Sequence, residues 1–436
     1  MGDSSRLVWK FTLLVAVACL SSCGHSGSAL PGPWTLDVVY ATNRGSNTIS
    51  AYQVNPGNGA LTPVAGSPYA AGSAPTGPLV VANGFSGFVA NGSTNSVSAF
   101  RIGDSGDMIV NSTGALLPLT GSPLAAGTLP VALATDFALG ALYVINQGDD
   151  SISVYKGNST MSSLATVPGS PFATGTGPSA VTLGSAVYVV NHGSNSVSAY
   201  AVDPNSDALS PVAGSPFATG NGPTKLAIDS NLKFAFVANN GSANVSAYRV
   251  GAGGTLTEVA GSPFAAGTNP VSASIWSATG PSEFVYVLNG GSNSVSAFSV
   301  DATSGVLAPV AGSPFATGNG PTSLAIDPTG RFVYVTNGGS GSVSGYAVDG
   351  TTGALTPLAG SPYPCGTGPR SLTFDNAGNF VYVANGGSGD ISGFAISAVS
   401  GLPDTGALTP VPGSPFASGV SLDAVTTLTI KWSPYL

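Results

Sequence analysis

Few residues in this chain have side chains suited to acid–base chemistry, and His192 is the first of them. It follows an apolar run that ends at Asn191, whereas the other histidine, His25, lies in a Gly- and Ser-rich stretch near the N-terminus. Imidazole titrates near neutral pH, so His192 could serve as a general base. No Ser or Cys stands at a nucleophile's spacing from it, and the alternative interpretation is a loop residue that differs among repeated segments.

Three cationic side chains could form a clamp for an anion. Arg370, Arg44 and Lys225 stand beside strand-like runs, and arginine pairs bidentately with carboxylate or phosphate. Gln147 occupies the position in its segment that His192 occupies in the next one, and we predict that it contributes to the same ligand site. The alternative is that these cations only balance an acidic surface.

Metal and thiol chemistry have little support in the sequence. Asp149 and Asp150 are adjacent and could contribute to a Ca²⁺ site, but one acidic pair lacks the spacing of a calcium loop, and a structural role is the other interpretation. Cys365 has no base near it in sequence. Because the remaining cysteines, Cys19 and Cys23, lie near the N-terminus, we predict no disulfide framework, no metal centre and no cofactor.

The composition indicates which elements must position these groups. The chain has 436 residues, of which 61 are Gly and 33 are Pro, while only 7% are charged. Its two Glu and few Lys and Arg disfavour helices, and its 43% of apolar residues disfavours disorder. With eleven Lys and Arg and a net charge of −8, the chain has no basic face for nucleic acid. These features indicate a turn-rich, all-β protein.

The N-terminus has the pattern of a targeting signal. Arg6 and Lys10 precede an apolar stretch over 11–20, which is too short to span a bilayer as a helix. The sequence LSSC then ends at Cys23 and resembles a bacterial lipobox, in which the cysteine carries the lipid. An ordinary secretory peptide that happens to contain a cysteine is the alternative.

This pattern predicts the organisation of the chain. We expect a lipoprotein signal peptide over 1–22, the lipidated Cys23 with a flexible tether over 23–36, and one folded domain over 37–436. Gly24 after the cysteine favours the outer membrane, with the domain facing either the periplasm or the outside. The membrane is then one predicted partner of the protein, through the lipid on Cys23.

The rest of the chain is one segment repeated eight times. The tripeptide Gly-Ser-Pro recurs at spacings of 45 to 55 residues, beginning at Gly66, Gly121, Gly169, Gly214, Gly261, Gly312, Gly360 and Gly413. A second marker, an apolar run ending in Asn, recurs at Asn43, Asn91, Asn146, Asn191, Asn239, Asn289, Asn337 and Asn385. Two independent markers with one period indicate a repeat architecture.

One repeat predicts four antiparallel strands. In the clearest unit, apolar or β-branched runs over 323–327, 331–337, 342–348 and 354–361 are separated by Gly-, Pro- and Asp-rich turns. Four strands in about 48 residues is the size of a propeller blade. Blades pack face to face, so both faces of each inner strand must be apolar or small, which explains the low content of charge.

The strand count favours eight blades over seven. The first set of outer strands, 37–69, has no inner strand before it, and the last inner strand, 424–430, has no set after it. We predict that this C-terminal strand closes the ring against the N-terminal strands, with Trp34 and Trp432 flanking the seam. Closure removes exposed sheet edges. Seven blades is the alternative, because the unit around 85–110 is weak.

Two repeated residue types have structural interpretations. We expect each marker Asn to cap a turn through its own backbone, with a ring of amides around the channel as the alternative. The residue after Gly-Ser-Pro is aromatic in seven units, and Leu124 is the exception. We expect these aromatic side chains to anchor the packing between blades.

The sequence over 332–337, FVYVTN, contains a YVTN motif, and variants of it occur at 143–146, 188–191 and 382–385. With these motifs the chain resembles the YVTN-repeat or propeller lactonase family, which is 6-phosphogluconolactonase-like, from about residue 40 to about residue 430. The resemblance implies a β-propeller, in most members with seven blades. It also implies lactone hydrolysis by His, Arg and Glu in the loops around the central channel.

Two positions depart from the family's pattern. In Gly368-Pro369-Arg370-Ser371, serine stands where the resemblance implies a histidine. Gly386 stands where the resemblance implies a glutamate after the YVxN strand, and no other repeat supplies one. The equivalent positions carry Arg44, Gly92, Gln147, His192, Asn240, Gly290 and Gly338. These departures weigh against lactone hydrolysis.

Two functions from different classes fit the sequence. The first is a non-catalytic, lipid-anchored binding or scaffold propeller, monomeric, for a glycan, a peptide or an envelope partner. The second is a lactonase-like hydrolase of a sugar lactone with His192 and Arg370 as catalytic residues and Arg44, Gln147 and Lys225 as ligand-binding residues. In a ring of eight, His192 and Arg370 would lie opposite each other. If their charged groups are more than about 12 Å apart, one small substrate could hardly meet both.

Overall fold

Eight antiparallel sheets surround one central axis. The computed structural model describes residues 34–82, 84–103, 113–136, 138–277, 283–397 and 405–432. In each sheet an inner, a second, a third and a fourth strand lie side by side, and a two-residue fifth strand pairs with the third strand next to the fourth. Each inner strand contacts the inner strands of both neighbouring sheets, and these contacts close into a ring. The predicted eight-bladed propeller is confirmed.

The bounds of the strands are given for each blade in order, from the inner strand to the fifth strand. They are Leu422–Trp432, Trp34–Asn43, Thr48–Val54, Leu61–Pro63 and Tyr69–Ala70 in blade 1; Pro75–Ala82, Ser86–Asn91, Ser96–Ile102, Leu116–Pro118 and Leu124–Ala125 in blade 2; Pro130–Asp136, Ala141–Asn146, Ser151–Gly157, Leu164–Thr166 and Phe172–Ala173 in blade 3; Pro178–Leu183, Val187–Asn191, Ser196–Val202, Leu209–Pro211 and Phe217–Ala218 in blade 4. They are Pro223–Ile228, Phe234–Asn239, Asn244–Val250, Leu256–Glu258 and Phe264–Ala265 in blade 5; Pro270–Ser277, Glu283–Asn289, Ser294–Val300, Leu307–Pro309 and Phe315–Ala316 in blade 6; Pro321–Ile326, Phe332–Asn337, Ser342–Val348, Leu355–Pro357 and Tyr363–Pro364 in blade 7; Pro369–Phe374, Phe380–Asn385, Asp390–Ile396, Leu408–Pro410 and Phe416–Ala417 in blade 8. A single 3₁₀ turn, Ala252–Gly254, interrupts this pattern, and none of the described residues forms a helix that could cross a bilayer.

Blade 1 is assembled from both ends of the chain. Its inner strand, Leu422–Trp432, pairs antiparallel with Trp34–Asn43, from the Trp34–Trp432 pair at one end to the Asn43–Leu422 pair at the other. The predicted closure by the C-terminal strand is therefore confirmed. The side chains of the two tryptophans lie outside the described residues, so their packing at the seam stays a prediction.

The strands are buried on both faces because each blade is packed between two others. The second strand of blade 7, Phe332–Asn337, is buried along its whole length. The apolar clusters that bury the strands draw residues from two blades at a time. For example, Tyr188 of blade 4 and Tyr248 of blade 5 belong to one cluster. Each such side chain contributes about 1.5–3 kcal/mol on burial, whereas an unpaired charge in the same place would cost more than that. This packing explains why few residues are charged.

In five of its six copies the repeated tyrosine of the second strand joins neighbouring blades, and the hydroxyl of the sixth, Tyr143, is buried without a partner in the described residues. Tyr382 of blade 8 donates a hydrogen bond to the carbonyl oxygen of Gly59 in blade 1 (2.8 Å), and Tyr188 of blade 4 donates to Gly254 in blade 5 (3.0 Å). A buried hydroxyl needs such a partner, so the phenol fixes the position of one blade against the next. The hydroxyl therefore contributes to packing rather than to chemistry.

The Gly-Ser-Pro marker is the turn between the fourth and fifth strands. In blade 7 the fourth strand ends at Pro357, earlier than the predicted 361. Gly360 then adopts a φ of 81°, a left-handed conformation that favours glycine, and the Ser361–Pro362 bond is cis. Ser361 Oγ accepts a hydrogen bond from the Gly345 amide (2.9 Å), which holds the turn against the third strand.

The aromatic residue after this turn lies in the fifth strand. Phe172 of blade 3 is half-buried against a cluster of apolar residues drawn from blades 3 and 4, including Tyr143 and Tyr200. This contact accords with the packing role predicted for the repeated aromatic position.

The marker asparagines are buried. The prediction that each caps a turn through its own backbone was wrong, because the side chain bonds to other partners. Asn191 Nδ2 donates to the hydroxyls of Ser196 (3.2 Å) and Ser198 (2.9 Å) in the third strand, and Oδ1 accepts from the Gly175 amide (3.2 Å). The left-handed residue of this hairpin is Asn195, four positions later, with a φ of 52°. The side chain thus joins two strands and a loop instead of capping its own turn, and the amides do not line the channel because they are fully buried.

Candidate functional site

Seven of the eight inner strands begin with the same irregularity, at one end of the central channel. In blade 5, Pro223 pairs with Asn239 and Lys225 pairs with Ala238, so Thr224 is left as a β-bulge. The bulge positions in seven blades carry Val131, Ser179, Thr224, Val271, Thr322, Arg370 and Asp423. We call this end of the channel, where inner strands begin and second strands end, the upper end, and the opposite end the lower end.

A second series of residues surrounds the same mouth. It consists of the residue after each marker asparagine: Arg44, Gly92, Gln147, His192, Asn240, Gly290, Gly338 and Gly386. Polar or charged side chains occur in this series in blades 1, 3, 4 and 5, whereas blades 2, 6, 7 and 8 have glycine. Within this second series, the side chains that could bind or react are therefore confined to blades 1, 3, 4 and 5.

His192 is held at the mouth by the next blade. Its side chain is exposed, its amide donates to the Gly177 carbonyl oxygen (3.0 Å), and its Nδ1 lies 3.1 Å from the carbonyl oxygen of Pro223, where blade 5 begins. A carbonyl oxygen can only accept, so Nδ1 carries the proton and Nε2 of the neutral ring is left with its lone pair. Nε2 forms no hydrogen bond within the described chain. The group can therefore accept a proton or a hydrogen bond from a ligand.

Arg370 lies on the opposite side of the ring, in blade 8. Its side chain is 53% exposed, and Nη1 lies 3.7 Å from Oδ1 of Asp423 in blade 1. Its stem crosses Gly386: a Cβ atom added to Gly386 would lie 2.3 Å from Arg370 Nε. The glutamate that the family resemblance implied at this position therefore could not fit without displacing Arg370.

Asp423 is a mouth residue that the sequence analysis missed. It occupies in blade 1 the bulge position that Arg370 occupies in blade 8, and its Oδ2 accepts a hydrogen bond from the Gly77 amide of blade 2 (2.7 Å). One carboxylate thus contacts both neighbouring blades. Aligning the last inner strand, Leu422–Trp432, with the Pro369–Phe374 strand would have revealed it, but the last inner strand lacks the proline that opens the other seven.

Two of the three cations predicted to form a clamp belong to adjacent blades, Arg44 to blade 1 and Arg370 to blade 8. Arg44 is exposed, and its amide donates to the Ser421 carbonyl oxygen (3.1 Å), so both Arg44 and Arg370 approach the segment 421–423. Lys225 is on blade 5, across the ring from blade 1, and does not join them. The side chain of Lys225 is exposed toward the interior of the ring, where desolvation by the surrounding blades lowers its pKa.

Gln147 lies in blade 3 and is half-buried. Its backbone amide donates to the Leu129 carbonyl oxygen (3.0 Å), which places Gln147 at the upper end of blade 3. It is the neighbour of His192 in the ring order, so these two polar groups share one side of the mouth, while Arg44 and Arg370 share the other.

A cavity of about 330 Å³ opens at the seam of blades 8 and 1. Residues 386–389 and 418–421 line it, most of them Gly and Ser. Val420, 67% exposed, lies beside it and is one of the few large apolar side chains on the surface. The seam therefore offers backbone and hydroxyl groups beside the side chain of Arg370, whereas His192 lies in blade 4, opposite blade 8 in the ring.

The other candidate residues have structural roles. Asp150 Oδ1 accepts from the Gly177 amide (2.7 Å), and Asp149 Oδ2 accepts from the Thr128 amide. Burial and the nearby Asp390 carboxylate raise the pKa of the Cys365 thiol to about 12, so the reactive thiolate is scarce at neutral pH. Within the described ranges, no three His, Cys, Asp or Glu side chains are placed to hold a metal ion.

Comparison with known proteins identifies the family. The sequence profile described as lactonase, 7-bladed beta-propeller, matches residues 108–273 and 180–365, which together span more than half of the chain. The chain belongs to the lactonase propeller family. This lactonase propeller has eight blades, one more than the description of its family. No curated protein matches it.

Solved structures share the fold of this lactonase propeller at low sequence identity. A candidate 6-phosphogluconolactonase from Bacteroides fragilis has a TM-score of 0.58 at 19% identity, covering 90% of this chain and 98% of its own. The periplasmic gluconolactonase PpgL of Pseudomonas aeruginosa has a TM-score of 0.57 at 18% identity, covering 91% and 99%. AztD of Citrobacter koseri has a TM-score of 0.59 at 13% identity, covering 91% and 99%. At these identities the likeness establishes the fold alone.

Proposed function

We propose that this lactonase propeller is a binding module that holds a small anionic, sugar-derived ligand at the upper end of its channel without hydrolysing it. The observation that carries the proposal is the contact between Arg370 and Gly386, 2.3 Å from Nε to an added Cβ. The space above Gly386, where the resemblance implied a glutamate side chain, is filled by the cationic side chain of Arg370. A hydrolase needs a positioned general acid or base beside its electrostatic stabiliser, whereas the carboxylate beside Arg370, Asp423, accepts the hydrogen bond of the Gly77 amide and pairs with Arg370 itself.

The imidazole that could act as a base lies on the opposite side of the mouth from Arg370. His192 is in blade 4 and Arg370 in blade 8, so three blades separate them in both directions around the ring. Proton transfer requires heavy atoms about 2.6–3.2 Å apart, directly or through one water. A single lactone ring bound by Arg370 would not reach His192.

The chemical class of the ligand follows from the groups at the seam. Arg44 and Arg370 favour a carboxylate, and the hydroxyls of Ser388, Ser418 and Ser421 favour a polyhydroxylated body. The solved gluconolactonase of similar fold is consistent with a sugar acid or its lactone as the ligand. Asp423 restricts the site, because its carboxylate would repel any second negative charge close to Arg370.

Calorimetric titration of the folded domain with gluconate, 6-phosphogluconate and their lactones tests the proposal. We expect binding of at least one of them, weakened at least about tenfold by Arg370→Ala, since a charge-assisted pair contributes about 1.5–3 kcal/mol. Arg331→Ala, which removes the same charge at the lower end, is the matched control and should leave the affinity unchanged. Equal affinity in both variants would contradict the seam as the site.

Lactone hydrolysis is the second candidate function, and the geometry of His192 is the observation that favours it. The ring is exposed at the mouth with a fixed Nδ1–H and a free Nε2 lone pair, as a general base requires. If the protein is a hydrolase, His192→Ala should reduce turnover by about 10²–10⁴-fold, the usual contribution of a general base. Asn240→Ala, at the equivalent position of the next blade, is the control.

We also propose that the lipid on Cys23 anchors the propeller to the outer membrane. The support is the sequence pattern alone: basic residues, the apolar stretch 11–20 and LSSC ending at Cys23. Two acyl signals are needed for stable anchoring, as in a diacylglyceryl cysteine. Mass spectrometry of the N-terminal peptide should find a modified Cys23, and Cys23→Ser should move the protein from the membrane fraction to the soluble fraction.

A further inference from the structure

We propose that the lower end of the propeller carries a second ligand site, a cavity between blades 8 and 1 that binds an uncharged, polyhydroxylated molecule of the saccharide class. The site lies at the opposite end of the channel from Arg370 and His192. It therefore goes beyond the proposed function, and it does not depend on the anionic ligand proposed for the upper end.

A cavity of about 550 Å³ opens between the lower ends of the inner strands of blades 8 and 1. Five polar residues line it: Thr373, Asp375 and Asn376 of blade 8, and Thr427 and Thr429 of blade 1. We call this space the lower cavity. Small-molecule sites have volumes of about 300–1,000 Å³, so the lower cavity is large enough for an organic ligand.

The lower cavity exists because a small residue replaces a large one in blade 1. Thr427 pairs with Val39 of the second strand, and the equivalent pair in blade 8 is Phe374 with Val381. The ring of Phe374 packs against Tyr334 of blade 7, with the ring centroids 5.9 Å apart. Six blades carry an apolar residue at this position: Val81, Leu183, Ile228, Ile275, Ile326 and Phe374. Between blades 8 and 1 the threonine leaves that volume unfilled.

Thr427 presents a hydroxyl that needs a partner. Val425, on the same face of the inner strand, belongs to one apolar cluster with Tyr382 of blade 8, so this face is turned toward blade 8. Thr427 Oγ1 is buried and forms no hydrogen bond within the described chain, whereas Thr429 donates to the Asp37 carboxylate. A buried hydroxyl without a partner has lost its hydrogen bonds to water, and a ligand hydroxyl that reaches it restores one.

The charges around the lower cavity exclude an anion. Asp375 is 3% exposed, and its Oδ1 accepts from the Phe380 amide (2.7 Å), which holds the turn after the inner strand. Burial raises the pKa of Asp375, and the charge of the nearby Asp37 raises it further. Among the described lining residues there is no Lys, Arg or His. An anionic ligand would therefore meet two carboxylates and no cation, in contrast to the seam at the upper end.

The mixed polar lining fits neutral hydroxyl groups. A ligand hydroxyl can donate to a carboxylate, and it can both donate to and accept from the Thr427 hydroxyl and the Asn376 amide. An ammonium group can only donate, so it would leave the protons of Thr427 and Asn376 without acceptors. In the part of the chain that the structure describes, no three His, Cys, Asp or Glu side chains are placed for a metal ion. A ligand with several hydroxyls, such as a mono- or disaccharide, matches the lining.

Saturation-transfer NMR on the full-length protein tests the lower cavity, with glucose, galactose, N-acetylglucosamine, maltose and cellobiose as the probes. We expect at least one of them to bind with millimolar or tighter affinity. Thr427→Ile, which restores the apolar residue of the other blades, should abolish this binding. Thr427→Val, which keeps the shape and removes only the hydroxyl, should weaken it at least about threefold. Thr135→Ile, at the equivalent position of blade 3, is the matched control and should leave the affinity unchanged.

Two further probes separate this site from the upper one. Gluconate binding should respond to Arg370→Ala and not to Thr427→Ile, whereas saccharide binding should show the opposite dependence. Failure of gluconate to bind would count against the proposed function alone. Transfer from none of the saccharides, binding of tetramethylammonium in their place, or equal affinities for Thr427→Ile and Thr135→Ile would overturn the lower cavity as a saccharide site.

Discussion

Blades 6 and 7 and blades 8 and 1 are copies of one repeat, yet their upper ends differ in chemistry. In blades 6 and 7 the positions at the mouth carry Val271, Thr322 and two glycines. In blades 8 and 1 the equivalent positions carry Arg370, Asp423 and Arg44, and a cavity opens between them. The backbone is the same in both pairs, including the bulge in the inner strand. The repeated backbone, which we call the frame, thus positions side chains at the mouth. Function depends on the blades whose residues there depart from the common sequence.

The largest expected effect is the difference in stability between variants at two adjacent positions, Asn191 within the repeated backbone and His192 at the mouth. Asn191→Ala would remove three hydrogen bonds and leave the Gly175 amide and a buried serine hydroxyl unpaired. Since each unsatisfied group costs about 1–3 kcal/mol, we expect a loss of about 2–5 kcal/mol in the free energy of unfolding. His192→Ala, one residue later, should cost less than about 1 kcal/mol because the side chain is exposed.

Urea denaturation followed by tryptophan fluorescence measures both variants. Equal losses for Asn191→Ala and His192→Ala would mean that the ring of His192 belongs to the frame and not to the mouth.

The next effect concerns the seam that closes the ring. Asp423→Ala would lose the hydrogen bond from Gly77 and the ion pair with Arg370. The ion pair is 3.7 Å long and Arg370 is largely exposed, so most of the expected loss of about 1–3 kcal/mol comes from the Gly77 amide. Ser179→Ala, at the same bulge position in blade 4, should cost less than about 0.5 kcal/mol. If thermal melts give Asp423→Ala and Ser179→Ala the same midpoint, the side chain at the bulge position matters no more for the closing seam than for blade 4.

The smallest effect is a change in the pH dependence of stability. Desolvation by the surrounding inner strands lowers the pKa of Lys225, so at neutral pH the charged amine destabilises the folded state. Between its folded and unfolded pKa values the unfolded chain binds more protons, and stability therefore rises with pH. We expect Lys225→Met to be more stable than the wild type at pH 7, with the difference decreasing as the pH approaches 10.

Lys225→Arg, which keeps the charge, is the control for this series. If Lys225→Met is less stable than the wild type at pH 7, or if the difference does not change with pH, the lysine is not desolvated by the ring.

The sequence predicted the frame because the residue pattern of one blade recurs eight times along the chain. Two markers with one period established the number of blades, and the unmatched strands at 37–69 and 424–430 established how the ring closes. The fifth strand was missed because only two residues follow the Gly-Ser-Pro turn, too few for a periodic pattern. The partners of Asn191 were missed because a serine hydroxyl on the adjacent strand is not distinguished in sequence from any other serine.

The site was harder to predict, because its residues are exceptions to the repeat. His192 and Arg370 stand out as rare residue types, but their placement on opposite sides of the ring depends on the number of blades. Asp423 was missed because its strand begins without the proline that opens the other seven inner strands. The contact between Arg370 and Gly386 joins two strands of one blade across a bulge, and only coordinates show that the arginine fills the space above the glycine.

The most direct test of the account is the rate of ring opening of gluconolactone and 6-phosphogluconolactone at pH 7, followed by acid release against buffer, with the wild-type domain and with His192→Ala. A non-catalytic mouth predicts that the wild type matches buffer at every protein concentration, even where calorimetry shows the ligand bound. Acceleration by the wild type that is lost in His192→Ala would contradict the account, because it would show that a base at blade 4 does reach the bound lactone.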